Sequence, residues 1–458
     1  MKQSHYPVII VGAGMSGLLA ALFIKKRRPS SQITIVEHSG EAGGHYREVD
    51  LAGFGWCDRA MRLIYETGIP ELDQVIRDIL PDNEWQEFPG NEKDIAGIYW
   101  QGGLQCHSPY IDLRRLPQSV TRQCEKEILQ HLHSSTESIM DAGSYLLNRF
   151  GPTAAEYLVR VLEKFYAVPA TKLDVSATFQ PAMNRVVLYD EERMQALLQD
   201  EALCKRIAWP DQLTLPIQRS LSQSALYPKK FGMNRVIDAM VRQLLDQGVR
   251  FLFNRRITSC EIAAGSIASV TLDDDSRLDA SQVIAANGMH SAHGLLYGKQ
   301  SYPAAPPCWL VFLRITLPPR MERLYHFYCF DEACATFRVT HYYNYCPDAH
   351  DGTGYPLCIE LWQDAESETT AIAQALRELQ LMDILAPGTA VVAQAALRSS
   401  NMHALCTLEF MQNTRRMRTE LEQQIPANMI AVGPFVEDGV MLLYEVWRDM
   451  YQKLITIF

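Results

Sequence analysis

"VIIVGAGMSG", residues 8–17, opens the chain with two incompatible readings. From Pro7 to Ile24 no residue is charged, and Lys2 and His5 precede the run, as in an export signal or a membrane anchor. An export signal needs an uninterrupted apolar helix. Gly12, Gly14 and Gly17 stand inside this one, and each glycine costs a helix about 1 kcal/mol relative to alanine. The other reading fits every position. Val8, Ile9, Ile10 and Val11 are β-branched, as in a strand buried on both faces. Leu18, Leu19, Leu22 and Phe23 recur at helical spacing. Lys25 to Arg28 suit the dipole at a helix carboxyl end, and Pro29 stops the helix. Ile33-Thr-Ile-Val-Glu37 then reads as a second strand. The opening therefore predicts a βαβ unit, an N-terminus that is not cleaved, and no transmembrane segment.

The spacing carries a specific chemistry. Gly12 permits the tight turn after the strand. Gly14 lets a pyrophosphate approach the backbone at the helix N-terminus, where unpaired N–H groups favour anions. Gly17 lets helix and strand pack closely, and Ala13, Met15 and Ser16 complete the loop. Glu37, at the end of the second strand, is placed to accept hydrogen bonds from a ribose diol. Gly-x-Gly-x-x-Gly alone is a weak signal. With both strands and the acid in place it predicts a dinucleotide site.

Composition narrows the class. A chain of 458 residues predicts about two domains. Hydrophobic residues at 47% and charged residues at 21% are those of a globular protein. A net charge of -10 argues against a nucleic-acid partner, which selects a basic face. The 11 cysteines include no CxxC pair, so neither a metal site nor a disulfide framework is expected, and a reducing, cytoplasmic location is. The oligomeric state is left open.

After Glu37 the chain reads His38-Ser-Gly-Glu-Ala-Gly43-Gly44-His45. This resembles the extended FAD fingerprint of the flavin amine oxidase superfamily, which includes protoporphyrinogen oxidase, phytoene desaturase and UDP-galactopyranose mutase. The resemblance implies FAD as cofactor and adds His38, Gly43, Gly44 and His45 to its site. The family usually has arginine where His45 stands, so Arg47 or Arg59 is expected to supply that contact. "GWCDRAM" (55–61) resembles the segment passing beside the flavin ring and implies a contact at Met61. Residues 227–262 are similar to the family's Gly-Met helix and following strand, where the backbone at Ile257 would cradle the adenine. "SQVIAANG" (281–288) resembles the strand returning to the cofactor domain. "MIAVGPFVEDGVMLLYEVWRDM" (429–450) resembles the last strand and a helix whose N-terminus points at the flavin N1–C2=O edge. That implies contacts at Gly433, Asp438, Gly439 and Val440. Pro434 stands where relatives commonly carry an acid, leaving Asp438 or Glu437 for the ribityl chain.

The expected fold is α/β: a Rossmann-like FAD-binding domain assembled from separated segments, 1–60, 226–300 and 425–458. A substrate domain, 61–225 and 301–424, adds a mixed β-sheet with a helical cap. Residues 60–225 read as mostly helical, while "CWLVFLRITL", "RLYHFYCFD", "ATFRVTHYYNY" and "PLCIELWQD" read as consecutive strands. No second Gly-x-Gly-x-x-Gly follows a strand, which argues against a separate NAD(P)H domain of the glutathione-reductase kind. In "FRVTHYYNYC" (337–346) alternation puts Arg338 on one face and His341 and Tyr343 on the other. Either face is a candidate to bind a small-molecule substrate, and a half-buried strand with aromatic packing is the competing reading. The implied function is an FAD-dependent oxidoreductase acting on a CH–N, CH–O or CH–CH group. The alternatives are a non-redox flavoenzyme acting on a sugar nucleotide, like UDP-galactopyranose mutase, and a catalytically silent flavin-binding partner.

Overall fold

The computed structural model describes residues 6–135, 138–217, 219, 223–298, 307–362, 365–399 and 404–458. Lys2 and His5 lie outside the described residues, as do the last two positions of "PLCIELWQD". The opening stretch folds as strand Pro7–Val11, helix Met15–Arg27 and strand Gln32–Val36. The β-branched strand residues are withdrawn from water on both faces, Val8 and Ile10 completely. Each such side chain contributes about 1.5–3 kcal/mol. No described helix is long and apolar enough to cross a membrane.

The first strand is the centre of a five-stranded parallel sheet. Its order runs Arg250–Leu252, Gln32–Val36, Pro7–Val11, Gln282–Ala285, Met429–Ala431. Helix Met15–Arg27 packs against helices Asn234–Asp246 and Leu443–Leu454. The strand order reverses direction at Pro7–Val11, and in such sheets the crevice beyond the carboxyl ends at that point is where ligands sit.

A second, seven-stranded sheet has the order Val391–Ser399, Cys308–Ile315, Tyr355–Leu361, Thr336–His341, His326–Cys329, Ala96–Trp100, Gly103–Gln105. The four stretches read as strands in the 306–363 region all lie in it. Two strands from the region expected to be mostly helical also join it. "AGIYW" (96–100) is wholly buried and pairs in parallel with His326–Cys329. An apolar run of five residues is too short for periodicity to separate strand from helix, which is why it went unread. Strands Ile64–Tyr65 and Trp85–Phe88, paired with Ala225–Pro228, also depart from the helical expectation, while the stretches read as helices are helical, above all Ala142–Tyr166, kinked at Gly151 and Pro152. Lys164, at its end, donates to the carbonyls of Cys329 and Thr336 and ties the helix to the sheet.

Candidate functional site

The glycine loop is built as its spacing requires. Gly12 has φ +101°, open to glycine at little cost, and its N–H donates to the Val36 carbonyl at 2.8 Å. A Cβ on Gly17 would stand 2.0 Å from the Gly12 carbonyl oxygen, so this residue is small because helix and loop touch. Gly14 is different: a Cβ there would meet nothing within 4 Å. It is the N-cap of the helix, no side chain caps the end, and the first turn holds no acid. The helix end is thus uncapped by any side chain and borders open space at Gly14, which fits a phosphate.

Glu37 is buried and ties the loop together. Its Oε2 accepts from the Ala13 N–H and its Oε1 from the Ser39 N–H, each at 2.8 Å. His38 Nδ1 lies 2.8 Å from Oε1, with its ring largely exposed. The Gly43 N–H donates to the Ala13 carbonyl at 2.8 Å, and a Cβ on Gly44 would lie 3.5 Å from Gly14 Cα. The two glycine motifs, distant in sequence, thus form one cradle. Arg255 N–H donates to the Glu37 carbonyl at 3.0 Å, which brings Ile257, the first residue of strand Ile257–Ala263, to the same end. His45 is exposed, and its carbonyl accepts from Arg62 Nε at 3.2 Å. Of the two arginines proposed to replace a family arginine there, Arg47 is occupied by Glu41 at 3.1 Å and Asp238 at 2.6 Å. Arg59 keeps a buried Nε without a hydrogen-bond partner. Met61 is half-buried beside it, its carbonyl accepting from Arg62 Nη1.

The C-terminal segment departs from expectation. The helix begins at Leu443, four residues beyond Gly439. Glu445 folds back, and its Oε2 accepts from the N–H groups of Met441 at 3.0 Å and Leu442 at 2.8 Å, capping the helix itself. Val440 N–H donates to the Glu437 carbonyl at 3.3 Å, and Gly439 sits in a left-handed turn, φ +76°. Neither belongs to the first helical turn. Asp438 is 82% exposed and pairs with Arg418, while Glu437 pairs with Lys453. Gly433 is kept small by another contact: a Cβ would lie 2.5 Å from the Gly288 nitrogen.

Nor does the structure bring Arg338, His341 and Tyr343 together. The strand ends at His341, and Tyr343 lies on a 3-10 turn, Tyr342–Asn344, so alternation stops before it. Tyr328 pairs with Arg338 and Arg338 with Glu360 across the ladder, so these share one sheet face and His341 lies on the other. His341 is buried among the rings of Tyr343 and Tyr355, and burial pushes it down to about 3. Arg338 pairs with Glu360 at 2.5 Å, and Glu360 is 0% exposed. Burial works against the Arg338 charge, but Glu360 and Tyr328 outweigh it and hold the guanidinium firmly protonated.

The face that carries Arg338 looks toward the segment after the glycine motifs. Phe312, on that face, has its ring 5.9 Å from Phe54, and Tyr342 Oη donates to the Asp58 carbonyl at 2.5 Å. Between them lie groups that sequence reasoning missed. Tyr46, Tyr65, Asp94 and Tyr328 are all titration-shifted chiefly by burial, yet each keeps accessible surface. These groups mark the seam where the sheet face meets the Phe54–Tyr65 segment, the place of a candidate chamber. The Tyr65 ring is 6.3 Å from Tyr444 at the start of the C-terminal helix, and Phe165, from the end of helix Ala142–Tyr166, is 6.0 Å from Tyr328. Glu360 had a signal, an acid inside the apolar strand "PLCIEL"; Asp94 and Tyr65 had none.

Two buried acids brace the chamber from below. Asp58 accepts from Tyr227 Oη at 2.6 Å and the Met233 N–H at 3.0 Å, and burial pushes it up to about 6. Glu48 accepts from the Asn234 N–H at 3.0 Å; burial and then Asp58 push it up from 4.5 to about 7. The folded chain thus holds a proton on Glu48 that the unfolded chain has released between these two values. The stability this gives is complete below about pH 4.5 and is lost as pH rises through about 7. Glu48→Gln should flatten the fall in Tm across that window, and parallel Tm–pH curves for variant and wild type would refute this reading.

Comparisons with known proteins bear on this geometry. A protein-family model described as FAD dependent oxidoreductase matches residues 7–311. A stretch of 101 residues is 29% identical to 1-hydroxycarotenoid 3,4-desaturase of Flavobacterium sp. (strain P99-3), covering 22% of this chain and 20% of that protein. The chain thus matches about a fifth of that relative's length. Among solved structures, reduced UDP-galactopyranose mutase aligns over 98% of this chain and 96% of its own, with TM-score 0.74 and 15% identity. Putrescine oxidase bound to putrescine aligns over 99% of each chain, with TM-score 0.59 and 14% identity. At such identities the likeness is one of fold.

Proposed function

Because the chain belongs to the FAD dependent oxidoreductase family, we propose that it oxidises a CH–N, CH–O or CH–CH group of a small molecule held in the chamber between the seven-stranded sheet and the Phe54–Tyr65 segment. The observation that carries this reading is the uncapped helix end at Gly14, with open space where a Cβ would stand and Gly43 and Gly44 packed beside it. The cofactor, FAD, supplies a two-electron acceptor when bound. The protein's part is position and electrostatics. The first turn of helix Met15–Arg27 would hold the pyrophosphate, with Arg59 the arginine left to assist it. Glu37 would take the ribose, and the Ile257 backbone the adenine. The segment Tyr46–Tyr65 would lie along the ring system, and the sheet face would carry the substrate. Segments 1–60, 226–300 and 425–458 would then serve the cofactor, and 61–225 and 301–424 the substrate.

A sugar-nucleotide reading would need free arginines over the phosphates. Arg338, the arginine in the middle of the chamber face, is neutralised by Glu360, so nothing specific favours that reading. The test is an anaerobic absorbance spectrum of the purified protein before and after adding panels of amines, sugar nucleotides and polyenes. The expected result is a yellow protein bleached by a member of the first or third panel. A colourless protein that cannot be reconstituted with FAD would overturn the proposal.

A further inference from the structure

We infer that Arg149, Arg185 and Arg206 form a second anion site, on the helical cap and apart from the cofactor cradle, which takes a phosphate group. Arg149 stands on helix Ala142–Tyr166 just before its kink and ties the three together. Its Nε donates to the Asn184 carbonyl at 2.9 Å and its Nη2 to the Lys205 carbonyl, on the residues that immediately precede the other two arginines. Arg206 returns the contact, with Nη1 donating to the Arg149 carbonyl at 3.0 Å and Nη2 to the Leu132 carbonyl at 2.7 Å. The segments that carry Arg185 and Arg206 are joined as well, the Val186 N–H donating to the Arg206 carbonyl at 3.0 Å. Arg185 has its Cζ 4.6 Å from the centre of the Tyr110 ring and donates from Nη2 to the Tyr110 hydroxyl.

What these arginines lack is a counter-charge. Acids are not scarce, since the chain has 53 of them against 43 lysines and arginines. Yet the charged and titratable neighbours that act on Arg149 are Tyr145 and Arg185, and those that act on Arg206 are Arg149 and Tyr145. Among the described residues no carboxylate is one of them. Burial first, and then the neighbouring guanidinium, push both arginines below their ordinary value. Carbonyl oxygens satisfy part of each guanidinium and neutralise none of its charge. Two of the three are also open to a ligand. Arg149 and Arg185 are half-buried, and Arg149 Nη1 with Arg185 Nε and Nη1 make no hydrogen bond inside the chain and keep contact with solvent. The two carbonyls already hold Arg149 in place, so it loses little freedom when an anion arrives.

This arrangement selects the anion. A planar carboxylate takes one fork from one guanidinium. A phosphate group presents oxygens in several directions and accepts from two guanidiniums at once. Its double charge also offsets more of a threefold positive cluster than a single carboxylate does. The net charge of -10 opposes approach to a polyanionic surface and favours a small solute as the bearer of the phosphate. The site is not that of the substrate. Phe165, which borders the candidate chamber, stands at the other end of the same helix, roughly 20 Å from Arg149 along the axis.

The experiment is isothermal titration calorimetry on the FAD-loaded protein at low ionic strength, with sodium pyrophosphate and sodium acetate as probes. Pyrophosphate should bind saturably, more tightly than acetate, and less tightly as salt is added. Arg185→Gln, at a side chain whose one hydrogen bond is to Tyr110, should weaken that binding about tenfold or more, with Tm and FAD content near wild type. Arg160→Gln, which breaks an exposed pair with Glu156, should leave it unchanged. Sedimentation with vesicles of phosphatidylcholine and phosphatidic acid tells the two sources of the group apart. Pyrophosphate binding without sedimentation assigns the site to a soluble phosphate, and sedimentation that Arg185→Gln abolishes assigns it to a lipid headgroup. Absence of saturable binding to pyrophosphate and to vesicles overturns the inference and leaves the arginines as braces of the cap. So does acetate binding as tightly as pyrophosphate, or a pyrophosphate affinity unchanged in Arg185→Gln.

Discussion

Gly14→Val is expected to yield a folded chain that has lost FAD. The backbone at Gly14, φ -70° and ψ 174°, is an extended conformation open to any residue, and a Cβ there touches nothing. Folding should therefore survive, with at most a small change at the N-cap. The added side chain instead fills the space the phosphate needs. Charge-assisted hydrogen bonds of this kind are worth about 1.5–3 kcal/mol each, so losing two weakens binding roughly a hundredfold or more. Absorbance of the purified variant, with circular dichroism to show the fold intact, measures this directly. Stoichiometric FAD in Gly14→Val would mean that the loop is not the phosphate cradle.

Arg338→Met should cost about 3–5 kcal/mol of stability, because it removes the Arg338 guanidinium from the fully buried Glu360 carboxylate. A drop in Tm of several degrees follows. The signature lies in its pH dependence. Without the guanidinium, Glu360 titrates upward in the folded state, so the deficit should be largest at neutral pH and shrink on acidification as the carboxyl takes up a proton. Arg338→Met combined with Glu360→Met should recover most of the loss, since two apolar side chains of similar length need no partner. A double variant no better than the single one would show that packing, not charge, is what Arg338 provides.

How far the sequence could be read depended on whether a feature was local. The βαβ opening was legible because everything that defines it, from Val8 to Glu37, lies within one short stretch with its own periodicity, turn chemistry and acid. The Gly43-Gly44 extension was legible for the same reason. What escaped depends on contacts between distant segments. Asp94 sits in the unremarkable run "NEKDIAGIYW" and acquires a role only when strand Ala96–Trp100 docks against His326–Cys329. Arg338 invites a reading as a ligand group until Glu360 arrives in register on the neighbouring strand. The start of the C-terminal helix at Leu443, beyond the Gly439 and Val440 contacts that the resemblance implied, is set locally: Glu445 reaches back to two N–H groups and fixes the boundary.

The five-stranded sheet also sets a timetable for biosynthesis. Its central strand, Pro7–Val11, leaves the ribosome well before one neighbour, Gln282–Ala285, and the far edge, Met429–Ala431. At roughly 5–20 residues per second, that last strand appears some tens of seconds after the first. Until Gln282–Ala285 emerges, the apolar opening run has nothing to pair with on one side and presents a bare strand edge to other chains. The sheet that carries the cofactor cradle is thus closed only by a strand made long after the cradle's own residues.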